Sequence, residues 1–178
     1  NCGKSTLFNQ VAGYKAETGN FSGTTVTCTE SRVRVAGEVI KLVDLPGAYT
    51  LESGSPAEQQ AARYLDSRDV DAIINVADAT HLAAALELSL ELIPLHKPLI
   101  LALNMMDEAT RLGLRIDGEG LSRELGIPVL PLVASKGRGV KQLFLKSLEV
   151  GMQEREKKKE HIAQLNSSER HTRAREWA

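Results

Sequence analysis

The stretch LILALNMMD at residues 99–107 decides the predicted fold. Its first five residues are apolar, which is typical of a short strand buried on both faces of a mostly parallel sheet. Residues 72–77 and 129–133 are similar short runs dominated by Ile, Val, Leu and Ala. We therefore expect buried parallel strands at these three places.

Helical patterns lie around these strands, and a hairpin precedes them. The hairpin pairs residues 31–36 with residues 39–43 through a turn at Gly37. This alternation predicts an α/β fold with right-handed crossovers, a mostly parallel sheet with one antiparallel hairpin, and helices on both faces. The helical patterns cover residues 4–12, 57–65, 82–92, 118–125 and 141–148.

Composition and charge indicate an ordinary globular protein. The chain has 178 residues, of which 42% are hydrophobic and 25% are charged. Its formal net charge of −1 gives no electrostatic support for nucleic acid as a partner. The most apolar stretch, residues 92–103, is interrupted by prolines, His96 and Lys97, so it lacks the roughly 18 to 20 apolar residues that a membrane helix needs.

The composition divides the chain near residue 152. Residues 1–151 carry the α/β pattern, whereas the residues from Gln153 onward are mostly charged and polar. We expect a first domain over residues 1–151 and a charged helical tail or linker over residues 152–178, leading towards a helical or membrane region. Because the chain opens inside a motif without an initiator Met, we also expect the first strand to be missing from it.

The opening NCGKST at residues 1–6 matches the end of the phosphate-binding pattern GxxxxGK[ST]. Gly3 permits a tight turn in which backbone N–H groups converge on phosphates at a helix start. Lys4 would reach the β and γ phosphates, and the Ser5 hydroxyl would ligate Mg²⁺. The alternative is a chance GKS at a helix start. The candidate residues are Asn1, Cys2, Gly3, Lys4, Ser5 and Thr6.

A second motif, DLPG, directly follows the second strand of the hairpin. Asp44 can hold Mg²⁺ through water, and the Gly47 N–H can contact a γ-phosphate and move when that phosphate leaves. The alternative is an ordinary Asp before a Pro-Gly turn. The candidate residues are Asp44, Leu45, Pro46 and Gly47.

Two further motifs follow the later strands. Asp107 can accept hydrogen bonds from N1–H and the exocyclic amine of guanine, a donor pair that adenine lacks. Asn104 would tie this loop to the phosphate loop, and a backbone N–H after the last strand would bond the guanine O6. The alternative for Asp107 is a helix N-cap. The candidate residues are Asn104, Met105, Asp107, Val133, Ala134 and Ser135.

The four motifs occur in one chain order, each at the carboxyl end of a predicted strand or at the start of the helix beside it. Ligands of open α/β sheets bind along that edge. The sequence therefore predicts a guanine nucleotide-binding domain that takes GTP, GDP and Mg²⁺.

The stretches NCGKSTLFN, GNFSGTTV, LVDLPGAY, LNMMDEA and PLVASKGRGV together resemble the cytoplasmic GTPase domain of FeoB-type ferrous iron transporters. This resemblance spans residues 1 to about 150 and implies a Ras-like P-loop GTPase fold. Met105 stands where most GTPases have Lys, as it does in that family. Loss of the Lys stem over the base implies weaker nucleotide affinity and faster exchange.

The resemblance also assigns the first switch to residues 19–26. Thr25 matches the threonine that closes on Mg²⁺ and the γ-phosphate, with Gly23 and Thr24 beside it. Asn1 matches the asparagine that helps to hold K⁺ in potassium-activated GTPases. Ala48 stands where many GTPases carry the Gln that orients water, so the resemblance implies slow, potassium-stimulated hydrolysis. The implied catalytic residues are Asn1, Lys4, Thr25 and Gly47.

The implied partners are a guanine nucleotide and a transmembrane iron permease region of the same polypeptide, at the cytoplasmic face of the bacterial inner membrane. The sequence leaves open whether the protein forms a homo-oligomer, and no nucleic acid partner is expected. One alternative is a ribosome- or tRNA-associated GTPase of the same superfamily, against which the near-neutral charge and the NMMD motif both count. The other is a nucleotide-dependent switch with negligible turnover.

Overall fold

Two three-stranded sheets form the framework of the part of the chain that the structure describes. The structure is a computed structural model, and it describes residues 2–12, 17–20, 27–45, 55–66 and 70–176. The strands are β1 (Glu17–Asn20), β2 (Thr27–Val35), β3 (Glu38–Asp44), β4 (Ile73–Asp78), β5 (Leu99–Asn104) and β6 (Val129–Pro131). The helices are α1 (Lys4–Ala12), α2 (Pro56–Asp66), α3 (Leu82–Leu92), α4 (Met106–Arg111), α5 (Gly118–Leu125) and α6 (Val140–Glu176).

The parallel sheet has the order β4-β5-β6, with β5 in the centre. Every residue of β5 is buried, as its uninterrupted apolar sequence predicts. The three strands predicted for this sheet are confirmed, although β6 ends at Pro131 rather than at residue 133. Proline has no N–H to donate to a sheet, and beyond it the Leu132 N–H bonds the Leu103 carbonyl oxygen at 2.7 Å.

Strand β5 carries helices on both of its faces because alternate side chains point in opposite directions. Ile100 and Ala102 belong to a buried cluster that also contains Leu7 of α1 and Phe144 of α6. On the opposite face, Leu101 and Leu103 pack with apolar residues of α3 and α5. The predicted arrangement of helices on two faces of the sheet is confirmed.

The antiparallel sheet has the order β1-β2-β3. The predicted hairpin of β2 and β3 is confirmed, and its turn residues Ala36 and Gly37 both have positive φ values, 48° and 91°. The sequence analysis did not predict β1, a third strand that pairs with β2 in the same sheet. The sequence of β1, ETGN, has no apolar side chain, so it carries no strand periodicity.

A groove of about 580 Å³ lies between β3 of one sheet and β4 of the other. Its lining includes Ile40, Leu42, Ile74 and Val76 from the two strands and Phe144 from α6.

Helix α6 extends far beyond the predicted helix at residues 141–148, and that predicted end was wrong. The charged and polar residues that follow are mostly Glu, Lys, Arg and Gln, which are strong helix formers. Gly151 is buried on α6, where an added Cβ would lie 3.6 Å from the Asp71 Cβ, and Arg155 forms an ion pair with the Asp71 carboxylate. The helix thus continues through residue 151 without a break, and the division into domains 1–151 and 152–178 stays a prediction. Within the described ranges, no helix combines the length and apolar character needed to cross a membrane.

Candidate nucleotide-binding site

The phosphate loop leads into α1 through Gly3, which has a φ of +83°. The first helical hydrogen bond joins the Leu7 N–H to the Gly3 carbonyl oxygen at 2.9 Å. Cys2, Gly3 and Lys4 are half-buried, whereas Ser5 and Thr6 are exposed at the start of the helix. Because the first N–H groups of a helix have no partner within it, this end of α1 can bind an anion.

Asn104 joins the phosphate loop to the loop after β6. Its side chain is buried at the end of β5, and its Nδ2 donates to the Cys2 carbonyl oxygen at 2.9 Å. Its Oδ1 accepts the Ala134 N–H at 2.9 Å. A Cβ atom on residue 3 would lie 2.3 Å from this Nδ2, so the close approach of the two loops requires Gly3.

Lys4 and Asp44 lie together at the phosphate end of the site. The Lys4 ammonium forms an ion pair with the Asp44 carboxylate and donates to the Leu45 carbonyl oxygen at 2.7 Å. Asp44 is the last residue of β3, so the sheet holds it beside the start of α1. The Ser5 hydroxyl and the Asp44 carboxylate are oxygen donors of the type that Mg²⁺ prefers.

Asp107 lies in the first turn of α4, at the same edge of the sheet. Its Oδ1 accepts the Glu108 N–H at 3.0 Å, and its Oδ2 accepts a hydrogen bond from the Lys136 ammonium at 2.6 Å. The bond from Lys136 holds the pKa of Asp107 below its ordinary value. The N-cap of α4 is Met105, which makes no side-chain cap bond, so the structure does not show Asp107 as the N-cap.

The loop after β6 is a tight turn. Residues Ala134–Lys136 form one turn of 3-10 helix, and Val133 pairs with Arg138 across it. The Ala134 N–H is donated to Asn104 and the Lys136 N–H to the Val133 carbonyl oxygen. Among the described residues of this turn, the Ser135 N–H is therefore the candidate donor for the guanine O6.

The contact of Lys136 with Asp107 was missed by the sequence analysis. Lys136 lies 29 residues from Asp107 in the chain, so no local pattern predicts their contact. Its position in the sequence could have indicated this contact, because Lys136 directly follows the Val-Ala-Ser stretch, which was expected at the same edge as Asp107.

Several predicted site residues lie outside the described residues. These are Asn1, Gly23, Thr24, Thr25, Pro46 and Gly47. Their predicted contacts with K⁺, Mg²⁺ and the γ-phosphate stay predictions. Within the described part of the chain, no group of three or more His, Cys, Asp or Glu side chains could hold a metal ion.

Comparison with known families identifies this arrangement. A model of the family described as ferrous iron transport protein B matches residues 1–171. The chain belongs to the ferrous iron transport protein B family. The FeoB resemblance seen in the sequence is thereby confirmed, and the match extends into α6.

Individual FeoB proteins agree with the family match. The Fe(2+) transporter FeoB of Salmonella typhimurium is 45% identical over 149 residues, which are 82% of this chain and 19% of that protein. The chain thus spans about a fifth of the length of the curated relatives that it matches.

Solved FeoB structures share the fold. The cytosolic domain of T. maritima FeoB in its GMPPNP form superposes with a TM-score of 0.81 at 38% identity, covering 85% of this chain and 60% of that one. The separate G domain of T. maritima FeoB gives a TM-score of 0.78 at 38% identity and covers 84% of this chain and 92% of that one. The fold is therefore that of a FeoB G domain, which confirms the Ras-like α/β class.

Proposed function

We propose that the chain is a GTP-binding and slowly GTP-hydrolysing domain that couples its nucleotide state to an attached ferrous iron permease. The observation that carries the proposal is the pair of hydrogen bonds from Asn104 to Cys2 and Ala134. These bonds hold the phosphate loop and the base-contact loop in one site. Crystal structures of the T. maritima FeoB cytosolic domain in GMPPNP and GDP forms support a guanine nucleotide as the ligand.

At the base end, Asp107 recognises guanine by accepting its N1–H and exocyclic N–H. Adenine lacks this pair of donors, so the carboxylate favours GTP over ATP. The Ser135 N–H bonds the guanine O6. Met105 covers the base less completely than the Lys of other GTPases, which permits fast exchange.

At the phosphate end, Lys4 changes partners when nucleotide binds. In the structure its ammonium bonds Asp44 and Leu45. The β and γ phosphates offer it a stronger anionic partner, which frees the Asp44 carboxylate to hold Mg²⁺ through water. The Ser5 hydroxyl would ligate Mg²⁺ directly, and Cys2, Gly3 and Thr6 complete the phosphate loop.

Hydrolysis is slow because Ala48 supplies no polar group to orient the attacking water. Thr25 and Gly47, with Gly23, Thr24 and Pro46 beside them, close on the γ-phosphate and open after it leaves. Asn1 helps to hold K⁺, which together with Mg²⁺ supplies positive charge against the charge that develops on the phosphates.

The remaining four fifths of a FeoB relative supplies the membrane partner in this proposal. The Salmonella relative is named as an Fe(2+) transporter, and the matched residues form 19% of its length. We place the domain at the cytoplasmic face of the bacterial inner membrane, on the same polypeptide as the permease. The net charge of −1 gives no support to the ribosome- or tRNA-associated alternative.

Calorimetry on the purified chain tests the nucleotide site. We expect GTP and GDP to bind and ATP to bind at least tenfold more weakly. Asp107→Asn replaces an acceptor with an N–H donor, so it should lower GDP affinity and raise affinity for xanthosine diphosphate, whose 2-oxo group accepts that donor. Glu149→Gln on α6 is the control, with the same change of charge outside the site. Equal affinity for GTP and ATP would reject the proposal.

A chimeric transporter tests the coupling to iron uptake. The matched residues of this chain replace the corresponding segment of the Salmonella relative, and ferrous iron uptake is measured in cells. We expect the chimera to transport iron and its Lys4→Ala variant to lose uptake, while Lys146→Ala retains it. Full uptake by the Lys4→Ala chimera would contradict coupling.

Single-turnover hydrolysis in K⁺ and Na⁺ buffers separates a GTPase from a switch without turnover.

A further inference from the structure

Asp107, the side chain proposed to recognise the base, already accepts hydrogen bonds from other residues of the chain. Both carboxylate oxygens of Asp107 accept hydrogen bonds, one from the Glu108 N–H at 3.0 Å and one from the Lys136 ammonium at 2.6 Å. The first bond is local and neutral. The second brings a full positive charge from another loop onto the oxygen that a guanine base also needs.

We propose that Lys136 is a built-in competitor for guanine, a specificity-determining residue that restrains base affinity by binding the Asp107 carboxylate. The inference rests on the proposed nucleotide site. Hydrogen bonds to a free carboxylate are roughly twice as strong as bonds between neutral groups. An ammonium that neutralises Asp107 therefore weakens its bonds to the base, and base binding must loosen or displace Lys136.

The turn that carries Lys136 holds it in place. Its N–H bonds the Val133 carbonyl oxygen at 3.0 Å, and Gly137 closes the turn with a φ of +68°. This turn also contains the Ser135 N–H proposed for the guanine O6. Lys136 and Ser135 thus belong to one turn, so displacement of the Lys136 ammonium occurs beside the bound base.

Arg111, the neighbouring basic residue on α4, bonds Glu108 rather than Asp107. Arg111 lies in the last turn of the helix, and its Nε donates to the Glu108 carboxylate at 3.0 Å. The carboxylate of Glu108 therefore occupies Arg111, while Lys136 bonds Asp107. The two ion pairs are separate, which allows one to be removed without the other.

Three variants of the full chain test the inference. Lys136→Met removes the charge and keeps an unbranched stem, Lys136→Arg keeps the charge, and Lys146→Met removes an equal charge from an exposed ion pair on α6. Binding and release of GDP are measured with a fluorescent analogue, at low salt and in 1 M salt. Affinity for ADP is measured in parallel.

We expect Lys136→Met to bind GDP about two- to fivefold more tightly and to release it more slowly, a range set by exposed ion pairs. Lys136→Arg and Lys146→Met should behave as the unmodified chain, and ADP affinity should not change. The gain should shrink in 1 M salt, where the screening length falls to about 3 Å.

Unchanged or weaker GDP binding by Lys136→Met would overturn the inference while leaving the nucleotide site intact. An equal gain for ADP would also overturn it, because the effect would then not depend on the base. If the unmodified chain does not prefer GDP to ADP, the proposed function fails and this inference fails with it.

Discussion

A Cβ atom on Gly3 would lie 2.3 Å from the side-chain nitrogen of Asn104. Gly3 also has a φ of +83°, which L side chains rarely adopt. Gly3→Ala should therefore destabilise the fold by roughly 1 to 2 kcal/mol through its backbone and also break the bond from Asn104 to Cys2. We expect GDP affinity to fall at least tenfold in calorimetry.

Gly37→Ala is the matched control for this change. Gly37 has a φ of +91°, but nothing lies within 4 Å of its added Cβ. Chemical denaturation should show a loss of stability for both variants, and a larger loss for Gly3→Ala because it also breaks the bond from Asn104 to Cys2, whereas only Gly3→Ala should lose GDP. Equal loss of GDP affinity in the two variants would assign the effect to stability alone.

Asn104→Ala should disconnect the phosphate loop from the loop after β6. The change leaves the Ala134 N–H and the Cys2 carbonyl without their partner, at a cost of about 1 to 3 kcal/mol for a buried polar group. We expect a lower free energy of unfolding and a loss of GDP binding. Asn75→Ala removes another buried amide, which bonds Ser89 at 2.8 Å, and should lower stability while GDP binding is retained. If Asn104→Ala binds GDP normally, the two loops do not need this link.

Met105→Lys should restore the aliphatic stem that other GTPases place over the base. Met105 is exposed enough to accept the change, since it is only half-buried at the start of α4. We expect tighter GDP binding and slower release in a fluorescence exchange assay. Met152→Lys, at an exposed position on α6, controls for the added charge. Faster release from Met105→Lys would contradict the role assigned to position 105.

Asp78 should make the stability of the fold depend on pH. Partial burial raises the pKa of Asp78, but hydrogen bonds from the Thr80 hydroxyl and N–H outweigh it, and the net pKa lies below the ordinary value. Because the folded-state pKa is the lower one, this contribution is present at neutral pH and is lost as the pH falls through the folded value. Asp78→Ala should cost about 1 kcal/mol at pH 7, as loss of a capping side chain does.

Urea denaturation at pH 7 and at pH 3 checks this prediction. The difference in free energy of unfolding between Asp78→Ala and the unmodified chain should be smaller at pH 3 than at pH 7. Glu119→Ala removes an exposed carboxylate on α5 and should show no such change. A constant difference at both pH values would show that Asp78 acts without its charge.

Local sequence signals predicted much of the fold. Helix α5 has the predicted bounds because Asp117 caps its start by accepting the Gly120 N–H and Gly126 ends it with a φ of +68°. Strand β5 was clear because its apolar run is uninterrupted. In contrast, β1 is fixed by its pairing with β2 rather than by its own side chains, so no local pattern could predict it.

Contacts between distant residues explain what the sequence could not supply in the site. The motifs predicted that Lys4, Asp44 and Asp107 belong to one site. The structure brings Lys4 to Asp44 and joins the loop before α1 to the end of β5 through Asn104, and the roles of the three residues stay predictions. The pairing of Asp107 with Lys136 depends on how two loops meet, and the ion pair of Arg155 with Asp71 joins residues 84 positions apart in the chain. Which charges face each other is a property of the folded chain.

Helix α6 has 37 residues, so at 1.5 Å per residue it is about 55 Å long. Its early turns are packed on the sheet through Phe144 and anchored at Asp71, near the start of β4. A rod held firmly at one end amplifies any rotation of its base into a much larger displacement at its tip. A small rotation where α6 meets Asp71 would therefore displace the far end of the helix much further than it displaces the sheet.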